Sequence, residues 1–413
     1  MIILALNCRF CNQLLTNIFV DLGTSPLSNA FLKKEMLDNV EKKFPLCAYV
    51  CDNCFLVQLP EFEKPENIFE DYAYFSSYSC TWLEHAKNYV SMMIKKFGFN
   101  EKSLVLEIAS NDGYLLQFFK EKNVPILGIE PALNVAKVAK EKGIPTLTKF
   151  FSVDTANELR KEGKLADLIV GNNVLAHVPN LNEFVKGLKI LLKSTGVITL
   201  EFPHILQLIQ KNQFDTIYHE HFSYFSLLTL RKIFSFHGLI IFDVDEIPTH
   251  GGSLRIYVRH TENDDIPINE RINNLLEKEK QYELENISTY INFIKNVEKA
   301  KTKLQKFINC ARESGKKIVC YGAAAKGNTL LNYCKIEKNF IDYVVDQNPY
   351  KQGLFLPGTH IPIKSPDEIQ KTKPDYIIIL PWNLKDEIME QMKEVKDWGG
   401  KFVIPIPEVY IVN

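Results

Sequence analysis

The segment that most restricts the fold of this chain is VLEIASNDGYLLQFF, residues 105–119. It begins with a short apolar run, residues 105–108, of the kind that a buried parallel strand requires. Small and polar residues, 109–113, then turn the chain, and the residues from Tyr114 onward have helical spacing. A strand, a small-residue turn and a helix start together present backbone N–H groups to a ligand, so this segment predicts an α/β fold with a binding site at the turn.

The turn differs from the G-x-G-x-x-G loop of a dinucleotide site, because it has one glycine, Gly113, and an acid, Glu107, inside the strand. With Ala109 and Asn111 it forms the pattern Glu-x-Ala-x-Asn-x-Gly, which resembles the first motif of S-adenosylmethionine-dependent methyltransferases. The resemblance implies that the acid meets the cationic methionine end of the cofactor and that the backbone of the turn approaches it. An ordinary strand-turn-helix of an α/β protein is the alternative.

The length of 413 residues allows two to four domains with buried cores. Lys and Arg number 49 against 50 Asp and Glu, so no basic field attracts nucleic acid or an anionic membrane, and we expect neither as a partner. No apolar run approaches the roughly 20 residues of a membrane span. The opening MIILAL is too short for a signal peptide and lacks a positive leader. We therefore expect a soluble, cytoplasmic protein with reduced thiols.

Two cysteine pairs near the start of the chain have the C-x-x-C spacing of zinc ligands: Cys8 with Cys11, and Cys51 with Cys54. Each pair places two thiolates on one tetrahedral ion, and two pairs complete a closed shell without a position for water, so we expect a structural zinc. The 39 residues between the pairs exceed the usual gap, which predicts an inserted loop at residues 23–44. Cys47 is an alternative ligand, but it breaks the pairing.

An aromatic run, residues 72–78, precedes an amphipathic pattern that predicts a helix over 81–96 and includes Trp82 and His85. Tyrosines have polar tips on apolar bodies and suit a lid over a charged small molecule. We therefore assign Tyr72 to the cofactor. The alternative is that these aromatic side chains only pack on the surface.

Strand and helix patterns alternate regularly over residues 104–260, as in an open α/β sheet. The second strand ends at Glu130, where an acid can accept both ribose hydroxyls of a nucleotide. The strand ADLIVGNNV places Asn172, Asn173 and His177 at its carboxyl end, where ligands of such sheets bind. We assign the first of these to the cofactor and the other two to the substrate. GLIIFDVDEI and SLRIYVRH then look like a closing hairpin, which resembles the methyltransferase fold rather than a dehydrogenase.

Four adjacent groups that can donate, accept or transfer protons lie in FDTIYHEHFSYFS, residues 214–226: Tyr218, His219, Glu220 and His221. No helix face collects all four, so we expect a loop or a helix start. A carboxylate beside an imidazole can orient it and raise its basicity, which general-base catalysis needs. The two histidines can instead bind a metal, but the sequence shows no third ligand with suitable spacing, which favours acid–base chemistry.

Residues 262–315 are rich in Lys, Glu and Asn and carry apolar residues at helical intervals, which predicts long helices between two globular units. The last unit then repeats strand, turn and helix in KIVCYGAAAKGNTLLNYC. Its turn holds Lys326 and Asn328, and a phosphate needs backbone N–H groups, a helix dipole and a point charge of this kind. Another strand ends at Asp346, so this unit predicts a second Rossmann-like domain, with a purely structural turn as the alternative.

One family resembles this chain over nearly its whole length. The resemblance rests on the two cysteine pairs and, in this order, on EIASNDGYLL, GNNVLAHVPNLNEF, YHEHFSYFS, HGGSLRIYV, YGAAAKGNTLLNY and VVDQNPYKQG. The family is the nucleotide-sugar C-methyltransferases, which place a branching methyl group on keto-deoxysugars. It implies an α/β protein with a zinc-binding domain (1–70), a class I methyltransferase Rossmann-like domain (71–262) and, after a helical linker, a second Rossmann-like domain (263–413).

The same resemblance assigns ligands to the candidate residues. It implies zinc on the four paired cysteines, and S-adenosylmethionine against the turn from Glu107 to Gly113 and against Glu130. The segment 218–221 matches the catalytic segment of the family, with His221 in the position of the base. The C-terminal domain would help to hold the nucleotide diphosphate of the sugar substrate. We expect a monomer or a small homo-oligomer.

Methylation of carbon needs activation of the acceptor, because a carbon bonded only to carbon and hydrogen is no nucleophile. Beside a ketone, a base can remove its proton and leave an enolate. We expect His221 to take the proton from C-3 of a 4-keto sugar, Glu220 to orient the imidazole, and Tyr218 to donate toward the developing oxyanion. Competing interpretations are an O- or N-methyltransferase, a nicotinamide-dependent sugar oxidoreductase, and a zinc-organised scaffold with inactive Rossmann units.

Overall fold

Three β-sheets organise the protein, and the computed structural model describes residues 6–63 and 75–412. The β-strands are numbered in chain order: β1 (Asn17–Ser25), β2 (Phe44–Val50), β3 (Val57–Gln58), β4 (Val105–Ile108), β5 (Ile126–Ile129), β6 (Thr146–Leu147), β7 (Ala166–Asn172), β8 (Leu192–Pro203), β9 (Ser223–Tyr224), β10 (Leu239–Ile247), β11 (Ser253–His260), β12 (Ile318–Tyr321), β13 (Val344–Val345), β14 (Ile363–Lys364), β15 (Tyr376–Ile379), β16 (Lys401–Ile404) and β17 (Tyr410–Val412). The α-helices are numbered in the same way: α1 (Cys80–Phe97), α2 (Leu116–Lys120), α3 (Leu133–Glu141), α4 (Val153–Lys161), α5 (Leu181–Leu191), α6 (Ile205–Gln210), α7 (Leu227–Phe236), α8 (Glu270–Gln281), α9 (Ile287–Ile291), α10 (Phe293–Glu313), α11 (Ala325–Tyr333), α12 (Asp367–Thr372) and α13 (Lys385–Gln391). Tyr72, a predicted cofactor residue, lies outside the described residues.

The first sheet has the strand order β1-β2-β3-β9, and its neighbouring strands are antiparallel. In β2 every second residue from Phe44 to Val50 is buried, as the two-residue period of a strand with one covered face requires. The last strand, β9, comes from the segment directly after YHEH and pairs with β3 through Val57 and Tyr224. A strand from the middle of the chain therefore completes the N-terminal sheet.

The second sheet has the order β10-β11-β8-β7-β4-β5-β6. Its strands are parallel except for β11, which runs antiparallel to both β10 and β8, so the predicted closing hairpin is present. All four residues of β4 are buried, because both faces of the sheet are covered. Val105 packs in one core with residues of α1, and Leu106 packs in the opposite core with residues of α5. The α/β methyltransferase architecture predicted from the sequence is confirmed.

The third sheet has the order β14-β13-β12-β15-β16-β17 and is parallel apart from β17. Helices α8, α9 and α10 precede it and occupy the predicted helical linker. Phe293 at the start of α10 stacks on Phe19 of β1, with ring centroids 4.8 Å apart, so the linker contacts the first sheet as well. Among the described helices, none is long and apolar enough to cross a membrane.

Candidate active site and zinc centre

Four cysteine sulfurs lie within 4.8 Å of one another: Cys8, Cys11, Cys51 and Cys54. Two of the sulfur pairs are 3.5 Å apart, and a tetrahedral zinc with Zn–S bonds of about 2.3 Å holds its sulfurs about 3.8 Å apart. Gln58 donates a hydrogen bond from Nε2 to the Cys8 sulfur over 3.2 Å, as groups behind a thiolate ligand do. Cys47 lies on β2, outside this cluster. The donor set therefore fits one zinc ion with a closed shell.

The zinc centre is connected to the YHEH segment through β3. The N–H of Leu59 donates to the carbonyl of Phe222 over 3.0 Å, directly after the four candidate catalytic residues. His219 binds the carbonyl of Pro45 on β2, with 3.1 Å between Nε2 and the oxygen. Two strands of the first sheet, β2 and β3, therefore hold the YHEH segment. The imidazole of His219 makes the contact with β2.

The predicted cofactor-binding turn, residues 109–113 (the cofactor turn), is left-handed at three positions, since φ is 56° at Ala109, 49° at Asn111 and 77° at Gly113. A side chain at Gly113 would be strained by this conformation, and its Cβ would lie 2.8 Å from Ile144. Asn111 tolerates a positive φ better than most residues, and its Oδ1 accepts the N–H of Ser76 over 2.9 Å. This contact attaches the segment before α1 to the turn.

Glu130 lies directly after β5, as predicted, and its buried carboxylate supports the cofactor turn. Its Oε2 accepts the N–H of Asn111 and its Oε1 the N–H of Ala132, both over 2.9 Å. Burial raises the pKa of Glu130, and these two hydrogen bonds partly offset the rise. Burial also raises the pKa of Glu107, inside β4, well above its ordinary value, while a hydrogen bond from Tyr114 opposes this. Both acids therefore lie in a space that favours a positively charged or donor-rich ligand.

Buried oxygen atoms that have no hydrogen-bond partner among the described residues lie within and beside the turn: Glu107 Oε2, Ser110 Oγ, Asp112 Oδ1 and Asn172 Oδ1. Asn172 lies beside the turn, because its Nδ2 is 3.4 Å from the hydroxyl of Tyr114, the residue that follows Gly113. A buried polar atom without a partner costs about 1–3 kcal/mol, which a suitable ligand would remove. The ammonium group and the ribose hydroxyls of S-adenosylmethionine supply such donors. The residues present therefore fit this cofactor.

The start of α1 forms an aromatic wall beside the turn. Trp82 stacks on Tyr114 with ring centroids 5.9 Å apart, and on His85 with centroids 4.9 Å apart. Behind them lies Glu201 of β8, a functional candidate that no sequence pattern predicted. Its buried carboxylate accepts hydrogen bonds over 2.9 Å from His85, Arg255 and Thr249. Hydrogen bonding and the charge of Arg255 lower the pKa of Glu201 against the raising effect of burial.

Tyr218, His221 and Thr216 form a chain of hydrogen bonds in the loop before β9. The imidazole Nδ1 of His221 lies 2.9 Å from the carbonyl of Thr216, and its Nε2 lies 2.8 Å from the hydroxyl of Tyr218. Because a carbonyl oxygen only accepts, Nδ1 carries the proton and Nε2 accepts from Tyr218. Burial, together with the positive charge that neighbouring histidines can carry, keeps the pKa of His221 well below its ordinary value. The imidazole is therefore neutral at pH 7 and has a lone pair at Nε2.

Glu220 does not orient this imidazole, and the prediction from the sequence was wrong on this point. Both of its carboxylate oxygens accept from Nδ2 of Asn29, over 2.8 and 3.0 Å, while the Thr216 carbonyl holds the imidazole. Neighbouring residues in a turn point in different directions, so sequence adjacency did not produce contact. Burial raises the pKa of Glu220 to about 7, and the hydrogen bond from Asn29 and the charge of Lys351 oppose the rise.

Two predicted substrate residues lie close to this loop on the middle domain. The ring of His177 is 4.7 Å from the ring of His221, and burial lowers the pKa of His177 to about 4. Asn173 directly follows β7 in a left-handed conformation, with φ of 53°. Its Oδ1 is buried, and within residues 6–63 and 75–412 it has no hydrogen-bond partner. The structure therefore brings His177 beside the candidate base and leaves an acceptor at Asn173.

The other two predicted substrate residues lie at the start of α11. Lys326 donates from Nζ to Asn383 over 2.6 Å and lies 4.5 Å from the centre of the Trp382 ring. Burial lowers the pKa of Lys326 to about 8, and the charge of Asp215 opposes this. The second residue, Asn328, donates from Nδ2 to the carbonyl of Ser28 over 2.5 Å. This hydrogen bond connects α11 to the loop after β1.

The C-terminal domain repeats the hydrogen-bonding pattern of the cofactor turn. Asp346 directly follows β13 as Glu130 follows β5. Its Oδ2 accepts the N–H of Ala323 in the turn after β12, over 2.7 Å, and its Oδ1 accepts the N–H of Asn348, over 2.8 Å. In both domains the acid therefore binds the turn after the first strand and the N–H two residues further along the chain.

Three family models match successive parts of the chain: a zinc binding domain over residues 8–69, a methyltransferase domain over 82–242 and a C-methyltransferase C-terminal domain over 248–407. Fold and site together define a methyltransferase with an S-adenosylmethionine-binding fold and a zinc-binding domain that brings four cysteines together. The C-methyltransferase NovU of Streptomyces niveus is 33% identical over 406 residues, which are 98% of this chain and 96% of NovU. The chain belongs to the C-methyltransferase family.

Two solved structures resemble less than half of the chain. The PH0226 protein of Pyrococcus horikoshii OT3 is 13% identical, with a TM-score of 0.38, over 48% of this chain and 99% of its own. A SAM-dependent methyltransferase of Anabaena variabilis ATCC 29413 is 16% identical, with a TM-score of 0.35, over 41% of this chain and 83% of its own.

Proposed function

We propose that this protein methylates C-3 of a nucleotide-activated 4-keto-deoxysugar through an enolate. Membership in the C-methyltransferase family supports a carbon acceptor. Such a carbon needs a base and an adjacent carbonyl, because its C–H bond is otherwise too weakly acidic to lose a proton. S-adenosylmethionine, when bound, supplies an electrophilic methyl group on a positively charged sulfur.

The hydrogen-bond chain from Tyr218 through His221 to Thr216 is the observation that carries this proposal. A neutral imidazole with its Nδ1–H held by a carbonyl presents the lone pair of Nε2 in a defined direction. The same carbonyl stabilises the imidazolium that forms when Nε2 accepts a proton. The arrangement supports His221 as the base.

In the proposed reaction, Nε2 of His221 takes the proton from C-3, and the electron pair of that bond moves toward C-4. The carbonyl electrons move onto the C-4 oxygen, which becomes the enolate oxygen. Tyr218 turns its hydroxyl from Nε2 to this oxygen and stabilises the developing charge. The turn from Glu107 to Gly113 would hold the methyl donor, which would supply the methyl group to the enolate carbon. The new bond from C-3 to the methyl group would form as the sulfur–methyl bond breaks, so that the C-4 carbonyl is restored and S-adenosylhomocysteine leaves.

Two lysines of the C-terminal domain support an anionic nucleotide sugar as the substrate. Lys326 lies near enough to His221 to affect its pKa, and Lys351 does the same for Glu220. The ammonium group of Lys351 binds the carbonyl of Ala323 in the turn after β12, over 2.8 Å. We assign the diphosphate to this side of the site and the sugar to the space next to His177.

Deuterium exchange tests the base directly. Sugar nucleotides carrying 4-keto-6-deoxyglucose on dTDP, GDP or CDP are incubated in deuterated water with S-adenosylhomocysteine, and the C-3 hydrogen is followed by NMR. We expect exchange with the wild-type enzyme and none with His221→Asn, whose turnover should fall about 10²–10⁴-fold at unchanged ligand affinities. The control is His219→Asn, because that imidazole binds a carbonyl of the first sheet instead.

Two outcomes would refute the assignment. A wild-type product with its methyl group on oxygen or nitrogen, formed without exchange at C-3, would make the protein an O- or N-methyltransferase. Near-normal turnover of His221→Asn, with loss of exchange in Glu220→Gln, would move the base to Glu220. The second outcome is a sharp alternative, because a carboxyl with a pKa of about 7 can also exchange a proton at neutral pH.

A further inference from the structure

The turn between β10 and β11 carries a histidine in an uncommon conformation. His250 lies in the short helical turn Thr249–Gly251, and its φ of 54° is in the left-handed region that few residues other than glycine adopt. Such strain persists where the surrounding structure enforces it, and it occurs often at functional sites. The HGG sequence belongs to the segments that resemble the C-methyltransferases, yet neither the cofactor nor the proposed base accounts for it.

The turn is fixed on several sides. A Cβ at Gly251 would lie 2.5 Å from Trp382, and a Cβ at Gly252 would lie 2.7 Å from Gln207, so both glycines are in close contact with neighbouring side chains. The carbonyl of Gly251 accepts from Nε2 of Gln213 over 2.9 Å. The hydroxyl of Thr249 donates to the buried carboxylate of Glu201 over 2.9 Å. The position of the His250 backbone is therefore set by residues of the middle and C-terminal domains.

The imidazole of His250 is connected to both parts of the proposed site. It forms an edge-to-face pair with Trp82, with ring centroids 5.3 Å apart and planes at 80°, and Trp82 stacks on Tyr114 beside the cofactor turn. His250 couples electrostatically to His221, and Lys326 couples to both of these imidazoles. His250 therefore contacts the aromatic wall beside the turn of residues 109–113 and belongs to the same electrostatic cluster as the candidate base.

The hydrogen-bonding capacity of this imidazole is not used within the described residues. Its Nδ1 is buried and has no partner, while the residue as a whole remains partly exposed. Burial and the charge of Lys326 lower the pKa of His250 to about 4, so the ring is neutral at pH 7 and offers one donor and one acceptor. A sugar hydroxyl or carbonyl matches such a neutral pair without introducing a second charge beside the base.

We propose that His250 binds the acceptor directly, by a hydrogen bond to a sugar oxygen that fixes the reacting carbon between His221 and the cofactor turn. This inference rests on the proposed function and names a residue that determines acceptor position. Methyl transfer to a carbon requires the enolate carbon and the methyl group in line, and small displacements of the acceptor cost much of the rate. A residue whose backbone is fixed by contacts from two domains serves this requirement.

The test compares His250→Asn with the wild-type enzyme on whichever of the dTDP, GDP or CDP keto sugars the wild type methylates. Asparagine accepts a positive φ, so the turn is retained. We expect KM for the sugar nucleotide to rise roughly twofold to tenfold, as the loss of one neutral hydrogen bond implies, and kcat to fall as well. The melting temperature, the affinity for S-adenosylhomocysteine and the affinity for the bare nucleoside diphosphate should stay unchanged.

The matched control is His260→Asn at the other end of β11, where the imidazole Nε2 lies 3.2 Å from the carbonyl of Leu192. We expect this substitution to leave KM unchanged. Unchanged KM and kcat in folded His250→Asn would overturn the proposal. A fall of the melting temperature with parallel loss of all ligand affinities, in both His250→Asn and His250→Gln, would also overturn it and assign a structural role. Failure of the proposed function is distinct, because the wild-type enzyme itself would then methylate none of the keto sugars.

Discussion

Replacing Glu130 by alanine removes a buried carboxylate with two separate tasks. It accepts the N–H groups of Asn111 and Ala132, which holds the cofactor turn, and it lies at the end of β5, where an acid binds the ribose of a nucleotide. From the sequence, we expect the substitution to weaken cofactor binding more than folding. The two backbone hydrogen bonds add a cost to folding that the sequence does not show.

The magnitudes follow from these contacts. Two buried N–H groups lose their acceptor, at about 1–3 kcal/mol each, so the free energy of unfolding should fall by roughly 2–6 kcal/mol. The ribose hydroxyls lose a charged acceptor, and such a hydrogen bond contributes about 1.5–3 kcal/mol, which corresponds to about a tenfold to hundredfold weaker binding of S-adenosylhomocysteine. Denaturant unfolding measures the first quantity and titration calorimetry the second.

The chain contains a matched control in Asp346. Its carboxylate accepts the N–H groups of Ala323 and Asn348 in the corresponding positions of the C-terminal domain. Asp346→Ala should therefore lower the free energy of unfolding by a similar amount and leave the affinity for S-adenosylhomocysteine unchanged. If folded Glu130→Ala binds S-adenosylhomocysteine as the wild type does, Glu130 has no part in cofactor binding. If both variants lose the same affinity, the loss reflects general destabilisation.

Two further predictions concern the zinc centre and Glu220. Metal analysis of reduced protein should find about one zinc per chain, and freshly purified protein without metal would contradict this. Chelation of the zinc should unfold the first sheet. Because β3 pairs with β9, chelation should also abolish turnover, while S-adenosylhomocysteine still binds. The pKa of Glu220 is raised in the folded protein from 4.5 to about 7, so its contribution to stability is present at low pH and is lost as the pH rises through 7. Denaturant titrations of the wild type and of Glu220→Gln measure this contribution as the difference between their free energies of unfolding. We expect this difference to fall by up to roughly 3 kcal/mol between pH 5 and 8. A difference that does not depend on pH would refute the raised pKa of Glu220.

The fold could be predicted where the signals are local. The apolar run and small-residue turn at 105–113 predicted β4 and the cofactor turn, because strand burial and helix starts depend on neighbours within a few residues. The cysteine pairs predicted a cluster for the same reason, since C-x-x-C places two sulfurs on one side of a tight turn. The helix before the turn begins and ends within one residue of the predicted bounds, at Cys80 and Phe97.

The candidate site could not be predicted where residues meet across long stretches of chain. The partner of Glu220 is Asn29, 191 positions away, and nothing near either residue marks the contact. The imidazole of His221 is held by a backbone carbonyl, at Thr216, which has no sequence signature at all. The sequence around Glu201 is that of an ordinary strand, because its three hydrogen-bond donors lie on other segments of the chain. Tertiary packing, rather than local periodicity, decides these contacts.

The loop between the two cysteine pairs is long because it contacts other parts of the protein. The sequence shows this loop only as an excess of residues. The inserted loop leaves the first sheet after β1 and reaches the catalytic segment, where Asn29 binds both oxygens of Glu220. Its neighbour Ser28 accepts from Asn328 of α11, and Glu41 accepts the N–H of Gly358 over 2.9 Å, so the loop is attached to the C-terminal domain at two places. A carboxyl with a pKa near 7 requires burial, and the burial of Glu220 depends on this loop lying against both domains. The raised pKa of Glu220, a residue of the methyltransferase domain, therefore depends on contacts from both the zinc-binding and the C-terminal domain.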